Sequence, residues 1–420
     1  MTMPRTSPAP PAERDAAATT AITGVGVTAP NGLGTEECWR ATLAGRSGLG
    51  RISRFDPSRY PATVAGEVHG YVAEDHIPSR LLPQTDHQTR LSLTAAEWAL
   101  RHARLDPAEI EDFAVGVATA ASAGAVEFGQ RELQNLWSQG KDHVSAYQSF
   151  AWFYAVNNGQ ISIRHGMRGP GGVLITEQAG GLDSLAQARR FVRKGASVIV
   201  SGGVDGGLCP LGWVHYLTTG LVSTESAPDR AYLPFSDAAC GFVPGEGGAI
   251  LIAEDARHAR ERGVPALATV AGYAATLDPP PWTGRPPRLG DAMANAISDA
   301  GLRPGDVDVV FADAAGDRKG DAAEADALRE LFGPRGVPVT APKTMTGRLF
   351  AGGAALDAAY AVLSLRDGVI PPTVNVAEPA PEYEMDLVTG RPRRADVRTA
   401  LVVARGHGGF NAAVVLRAPE

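Results

Sequence analysis

The chain is poor in cysteine, lysine and aromatic residues, and it has no long apolar run. Three cysteines, Cys38, Cys209 and Cys240, stand far apart in 420 residues. That spacing excludes a disulfide framework and a cysteine-rich metal site, and it suits a reducing cytosol. No apolar run approaches the roughly 18 residues of a membrane-spanning helix. The first 20 residues, MTMPRTSPAPPAERDAAATT, lack the apolar core of a signal peptide. Residues 1–20 are therefore expected to form a disordered leader, and the expected location is cytoplasmic. Basic residues are outnumbered 39 to 46, for a net charge of −7. An excess of that sign gives no electrostatic footprint for nucleic acid or for an anionic membrane. Lysine occurs only at Lys141, Lys194, Lys319 and Lys343, so arginine carries nearly all the positive charge.

Glycine is abundant instead, at 49 of 420 residues. The usual share is about 7%. The glycines follow no period and cluster beside short β-branched runs, where a chain needs tight turns or close backbone approach. The apolar runs predict strands over 21–28, 113–119, 172–176, 197–204 and 249–253, then over 267–273, 307–312, 337–341, 401–404 and 412–416. Near-continuous apolar strands imply sheets covered on both faces. Helical spacing predicts helices over 89–102, 126–137, 181–194, 288–300, 321–331 and 352–366. Strands and helices alternating in this way read as α/β with right-handed crossovers. The two strand series look like two passes through one plan, with the boundary near 255–265. The expected division is residues 21–260 and residues 261–420. Gly24-Val-Gly26 follows a strand but lacks the third glycine and the acidic partner of a dinucleotide loop.

The segment 173–184, VLITEQAGGLDS, runs from a buried strand through a turn into a helix. A residue at such a turn sits at a helix N-terminus, where many enzymes hold a nucleophilic Cys or Ser. Here it is Gln178, which cannot act as a nucleophile; alone it reads as a polar turn residue. Four further segments stand downstream: PFSDAACGFVPGEG at 234–247, DAAGDRKGDAAE at 313–324, KTMTGRLFAGGAA at 343–355 and RGHGGFN at 405–411. With Gln178 they resemble, in order and spacing, the β-ketoacyl synthase family. The resemblance covers nearly the whole chain after residue 20. It implies a thiolase-like αβαβα sandwich of two pseudo-repeated halves.

A condensing enzyme of that family needs a Cys nucleophile and two His that polarise the malonyl carbonyl. The matching positions here are Gln178, Asp313 and Arg348. Lys343 and Glu324 match positions that support the site, and His407 reads as a polar residue of a glycine turn. Cys209 and Cys240 lie far from the elbow, which argues against an active homodimeric ketosynthase. Gln178 with EQAGGLDS is similar to the chain-length factor, or ketosynthase β subunit, of type II aromatic polyketide synthases. The resemblance extends to SFAWFYAVNNGQISIRHGMRGP at 149–170, read as a buried helix at a subunit interface. It implies a partner, the ketosynthase α subunit, in a heterodimer. Malonyl units would arrive on the phosphopantetheine arm of an acyl carrier protein, with no bound cofactor and no metal.

Two readings of Gln178 stay open. Its amide plugs an oxyanion pocket and satisfies donors there, or its carbonyl imitates an acylated Cys and supports malonyl decarboxylation to an acetyl starter. Opposite charges at Asp313 and Arg348 are expected to pair within about 4 Å. On the 126–137 helix, Val126, Gly129, Leu133 and Trp137 share one face. Simple helix packing explains that face. The resemblance instead implies a tunnel wall that limits product length, with Val126, Gly129 and Leu133 as gate and a further gate at Phe150. Small and medium side chains there suit a long product, about ten ketide units or more. The other reading is a purely structural partner that leaves product length untouched.

Overall fold

A computed structural model describes residues 18–419, with no description of the Phe150 and Pro281 side chains. The expected leader therefore lies outside the described residues up to position 17, and Thr20 already opens the first strand. The main strands are β1 (Thr20–Ala29), β2 (Val115–Ala120), β3 (Gly171–Leu174), β4 (Val198–Asp205) and β5 (Gly247–Asp255). The second series is β6 (Ala268–Leu277), β7 (Val309–Phe311), β8 (Pro338–Thr340), β9 (Thr399–Gly406) and β10 (Phe410–Arg417). The helices that matter are α1 (His87–His102), α2 (Val126–Gln139), α3 (Gly180–Val192) and α4 (Pro210–Leu217). They are followed by α5 (Leu289–Asp299), α6 (Arg318–Phe332) and α7 (Ala351–Asp367).

The two passes are visible in the strand order. The first runs β1-β5-β4-β2-β3 and the second β6-β10-β9-β7-β8. In each, the first three strands are antiparallel neighbours and the last two join in parallel. The halves meet where β1 pairs with β6, Ala21 opposite Thr269. Helices α3 and α7 lie between the two halves in the largest apolar cluster, while α1 covers the outer face of the first half and α5 and α6 that of the second. This is the expected αβαβα sandwich.

Close approach explains the glycines that matter. A Cβ on Gly26 would lie 2.0 Å from the Ala95 carbonyl oxygen of α1, and one on Gly24 would lie 2.3 Å from that of Ala99. Gly24-Val-Gly26 is thus a strand–helix contact. Helix α7 is buried from Ala351 to Leu365, which its Ala/Gly-rich sequence permits.

The sheet edges differ. Beyond β8 the chain adds Asp386–Leu387 in parallel. Beyond β3, among the described residues, no strand follows. The aromatic segment after α2 is not one buried helix. It forms helices Gln148–Ala151 and Val156–His165 with a break between them, where Trp152 is 54% exposed. The Trp152 carbonyl packs where a Cβ on Gly124 would be, 1.6 Å away, and the chain leaves the helical path there. Among the described residues, no helix is long and apolar enough to cross a membrane.

Candidate functional site

The turn between β3 and α3 carries Glu177 at a φ of 52°, a left-handed conformation strained for a side chain with a Cβ. Its carboxylate accepts the His407 backbone N–H at 2.9 Å, which ties the elbow to the Gly406–Gly409 turn. Gln178 follows, fully buried. Its Nε2 donates to Asp313 Oδ1 at 2.8 Å. Its Oε1, also buried, accepts nothing among the described residues. The expected plug therefore works the other way round: the amide N–H satisfies an acceptor, and the carbonyl satisfies no donor. Oxygen and nitrogen take these places because the facing group is a carboxylate.

Asp313 is the hub. Besides Gln178 it accepts the Arg405 backbone N–H at 2.8 Å and Arg405 Nε at 3.1 Å. Arg348 approaches with Nη2 at 3.2 Å and Nη1 at 3.4 Å. Burial pushes the Asp313 carboxyl up, but Arg348, Arg405 and Lys343 outweigh it and hold it well below the usual carboxylate range. Burial likewise disfavours the Arg348 cation, and Asp313 more than restores it. Glu324 accepts the Asp313 and Ala314 N–H groups at 2.7 and 2.9 Å and pairs with Arg405 Nη2 at 3.1 Å. Burial raises its carboxyl despite that partner. Lys343 donates to the Ala312 and Asp313 carbonyls at 2.5 and 2.9 Å and lies 2.8 Å from Asp357 Oδ2. Three acids and three bases thus cancel in a buried cluster: Asp313, Glu324 and Asp357 with Lys343, Arg348 and Arg405.

A cavity of about 230 Å³ opens above this cluster. Asp313, Arg348 and Arg405 form its floor, with Phe242, Phe350 and Phe410 in the walls, and Gln178 does not reach it. Asp313 thus both lines the cavity and accepts the Gln178 amide.

Helix α2 holds the other sequence-assigned residues. Of its 14 residues only Phe128 and Glu132 are buried. Leu133 is 46% and Trp137 84% exposed. A Cβ on Gly129 would meet nothing within 4 Å, and Val126 Cβ lies 3.7 Å from where a Cβ on Gly207 would be. The Phe150 side chain lies outside the described residues. The structure thus brings Gln178, Asp313, Arg348, Lys343 and Glu324 together and leaves Val126, Gly129 and Leu133 on a separate, open face.

The β-ketoacyl synthase N-terminal domain matches residues 18–258 and the C-terminal domain residues 267–377. The chain belongs to the β-ketoacyl synthase family, in its type II polyketide synthase β-subunit branch. It is 58% identical over 398 residues to the tetracenomycin polyketide synthase ketoacyl synthase beta subunit of Streptomyces glaucescens, covering 94% of this chain and 97% of that one. Among solved structures it is similar to a type II polyketide synthase acyl carrier protein in complex with its ketosynthase bound to the hexaketide. There the TM-score is 0.86 at 26% identity, with 96% of this chain and 100% of that chain covered. The ishigamide ketosynthase/chain length factor matches with a TM-score of 0.85 at 25% identity over 96% of this chain and 100% of that one.

Most of the polar groups at the elbow bond to one another. Sequence reasoning missed Arg405 and Asp357. Arg405 opens the RGHGGFN segment, and a second cation was needed once Asp313 and Glu324 were both placed in one buried site. Asp357 sits mid-helix in an otherwise Ala/Leu-rich run, which marks it as a buried partner for a charge such as Lys343.

Proposed function

We propose that this chain is the non-catalytic, chain-length-determining subunit of a ketosynthase pair. In this reading a ketosynthase α subunit supplies the Cys nucleophile and both His. An acyl carrier protein in the cytoplasm delivers malonyl units on its phosphopantetheine arm. This chain contributes the wall against which the poly-β-ketone grows, and Val126, Gly129 and Leu133 set how far it extends. The observation that carries the reading is the elbow: Gln178, Asp313 and Arg348 replace every covalent or proton-transferring group and neutralise one another. The open edge of β3 and the bare stripe of α2 support it, because each is a surface that a partner would complete.

Co-expression with a Cys-bearing ketosynthase, followed by size analysis, tests this function. A stable one-to-one complex that makes polyketide, with this chain inactive alone, is the expected result. A homodimer that ignores the partner would overturn it. The rival reading, a malonyl-carrier-protein decarboxylase acting through Gln178, fits less well. Its carbonyl is buried and accepts no hydrogen bond among the described residues, and Gln178 does not line the cavity. That activity would appear as CO₂ release by the isolated chain, abolished in Gln178→Ala.

A further inference from the structure

The position of the α2 stripe depends on how the helix is held. Its apolar anchorage is small: among the described residues Phe128 clusters with Ala125 and Ala151 alone. So little burial does not by itself fix the roll of a helix of 14 residues. Two polar contacts supply the rest. Gln130 Oε1 accepts the Leu211 N–H of α4 at 2.7 Å. Pro210 precedes Leu211 in that helix and has no N–H, so Gln130 caps the first donor α4 offers. Glu132, 4% exposed, accepts the Ser145 N–H on Oε2 at 2.6 Å. Its Oε1 faces Arg131 Nε at 3.4 Å, and the Arg131 guanidinium lies 4.6 Å above the Phe128 ring. At about 100° per residue, Gln130 sits on one side of Val126, and Glu132 sits on the other, beyond Gly129 and Leu133. The two braces bracket the stripe.

We propose that Gln130 and Glu132 are positioning residues for product length: they fix the roll of α2 and so the depth at which Val126, Gly129 and Leu133 stand in the tunnel. This rests on the reading of that stripe as the gate. The contacts bind no substrate. They act by holding a wall in place, where a displacement of about 1 Å is enough to change which chain fits.

The test uses the complex of this chain with its ketosynthase partner, carrier protein and malonyl donor, with product lengths read by mass spectrometry. Gln130→Met and Glu132→Met remove an acceptor while keeping side-chain length, and Gln130→Glu keeps the acceptor. Both Met variants are expected to raise the share of off-length products about threefold or more, with total turnover within about twofold. Amide exchange along α2 should quicken in the same variants. Gln130→Glu should restore the parent distribution. Gly129→Trp is the control for the gate itself. If it shortens the product while both Met variants leave the distribution unchanged, the braces do not set length and the proposal falls. If Gly129→Trp changes nothing, the gate reading fails and takes the proposal with it. Loss of the complex in both Met variants, with Gln130→Glu intact, would assign the braces to folding and also overturn the proposal.

Discussion

The elbow and the outer face of α2 treat their side chains in opposite ways. At the elbow, Gln178, Asp313, Glu324, Lys343 and Arg348 are all buried, and the charges cancel inside one chain. On α2, two residues of fourteen are buried, and the stripe from Val126 to Trp137 faces away from its own core. A buried charge without a partner is costly, so a site that gives up its chemistry must still close its electrostatics. An exposed apolar stripe has the reverse character: it is left uncovered among the described residues, and such patches are a kind of surface at which proteins commonly meet. One region is closed within this chain, and the other is left open.

The strongest way to break that contrast is to open the closed side. Asp313→Ala leaves the buried Arg348 and the part-buried Arg405 without their shared carboxylate, at an expected cost of about 3–5 kcal/mol. Chemical denaturation should show it as a large fall in midpoint, and an unchanged midpoint would mean that water already compensates the cluster. Next comes the open edge of β3, the surface proposed for a partner. Pro170 and Leu174 bond inward to β2, so the N–H of Val173 points outward from the edge. Val173→Pro should leave this chain folded while weakening the two-subunit complex by about tenfold or more, measured by titration. Gly129→Trp should change stability by no more than about 0.5 kcal/mol, because nothing lies within 4 Å of the site, and yet shorten the product. Parent-length product from that variant would return the stripe to ordinary helix packing.

The smallest effect concerns acidity at the junction of the two regions. Asp205, buried, accepts the Ser122 N–H at 2.7 Å just ahead of α2, and Ser122 Oγ accepts the Ala351 N–H at the start of α7 at 3.3 Å. Burial pushes the Asp205 carboxyl up to about 6 against the Ser122 and Gly206 hydrogen bonds that favour its anion. An unfolded Asp titrates near 3.9. The folded state therefore binds the proton more tightly, and this contribution is present below about pH 4 and lost as pH rises through about 6. Asp205→Asn should shrink the fall in melting temperature between roughly pH 5 and pH 7.5. Asp321 and Asp357, raised chiefly by burial to about 7 and about 6, would keep part of that slope. An undiminished slope would place the titration on those two groups alone.

Much of this was legible in the sequence. All ten expected strands and the six named helices are present, because near-continuous apolar runs and a 3.6-residue period survive burial on both faces. The convergence of Asp313 on Arg348 was legible from their types at matching positions, and they stand 3.2 Å apart. What was not legible depended on contacts far apart in the chain. Arg405 reaches Asp313 across 92 positions, and no local pattern announces it. The direction of the Gln178 amide was missed because it is set by the carboxylate facing it. The break at Trp152 was missed because it is set by the backbone of Gly124, while the local composition reads as helix.

The unequal sheet edges carry a consequence for assembly size. Asp386–Leu387 ends the sheet on the second half with a strand of two residues, whereas β3 ends it on the first half with a strand of four. A molecule with two such open margins would invite copy after copy and grow into a filament. With one margin only two residues long, a filament of that kind is disfavoured, and β3 presents the longer row of backbone groups for another strand to pair with.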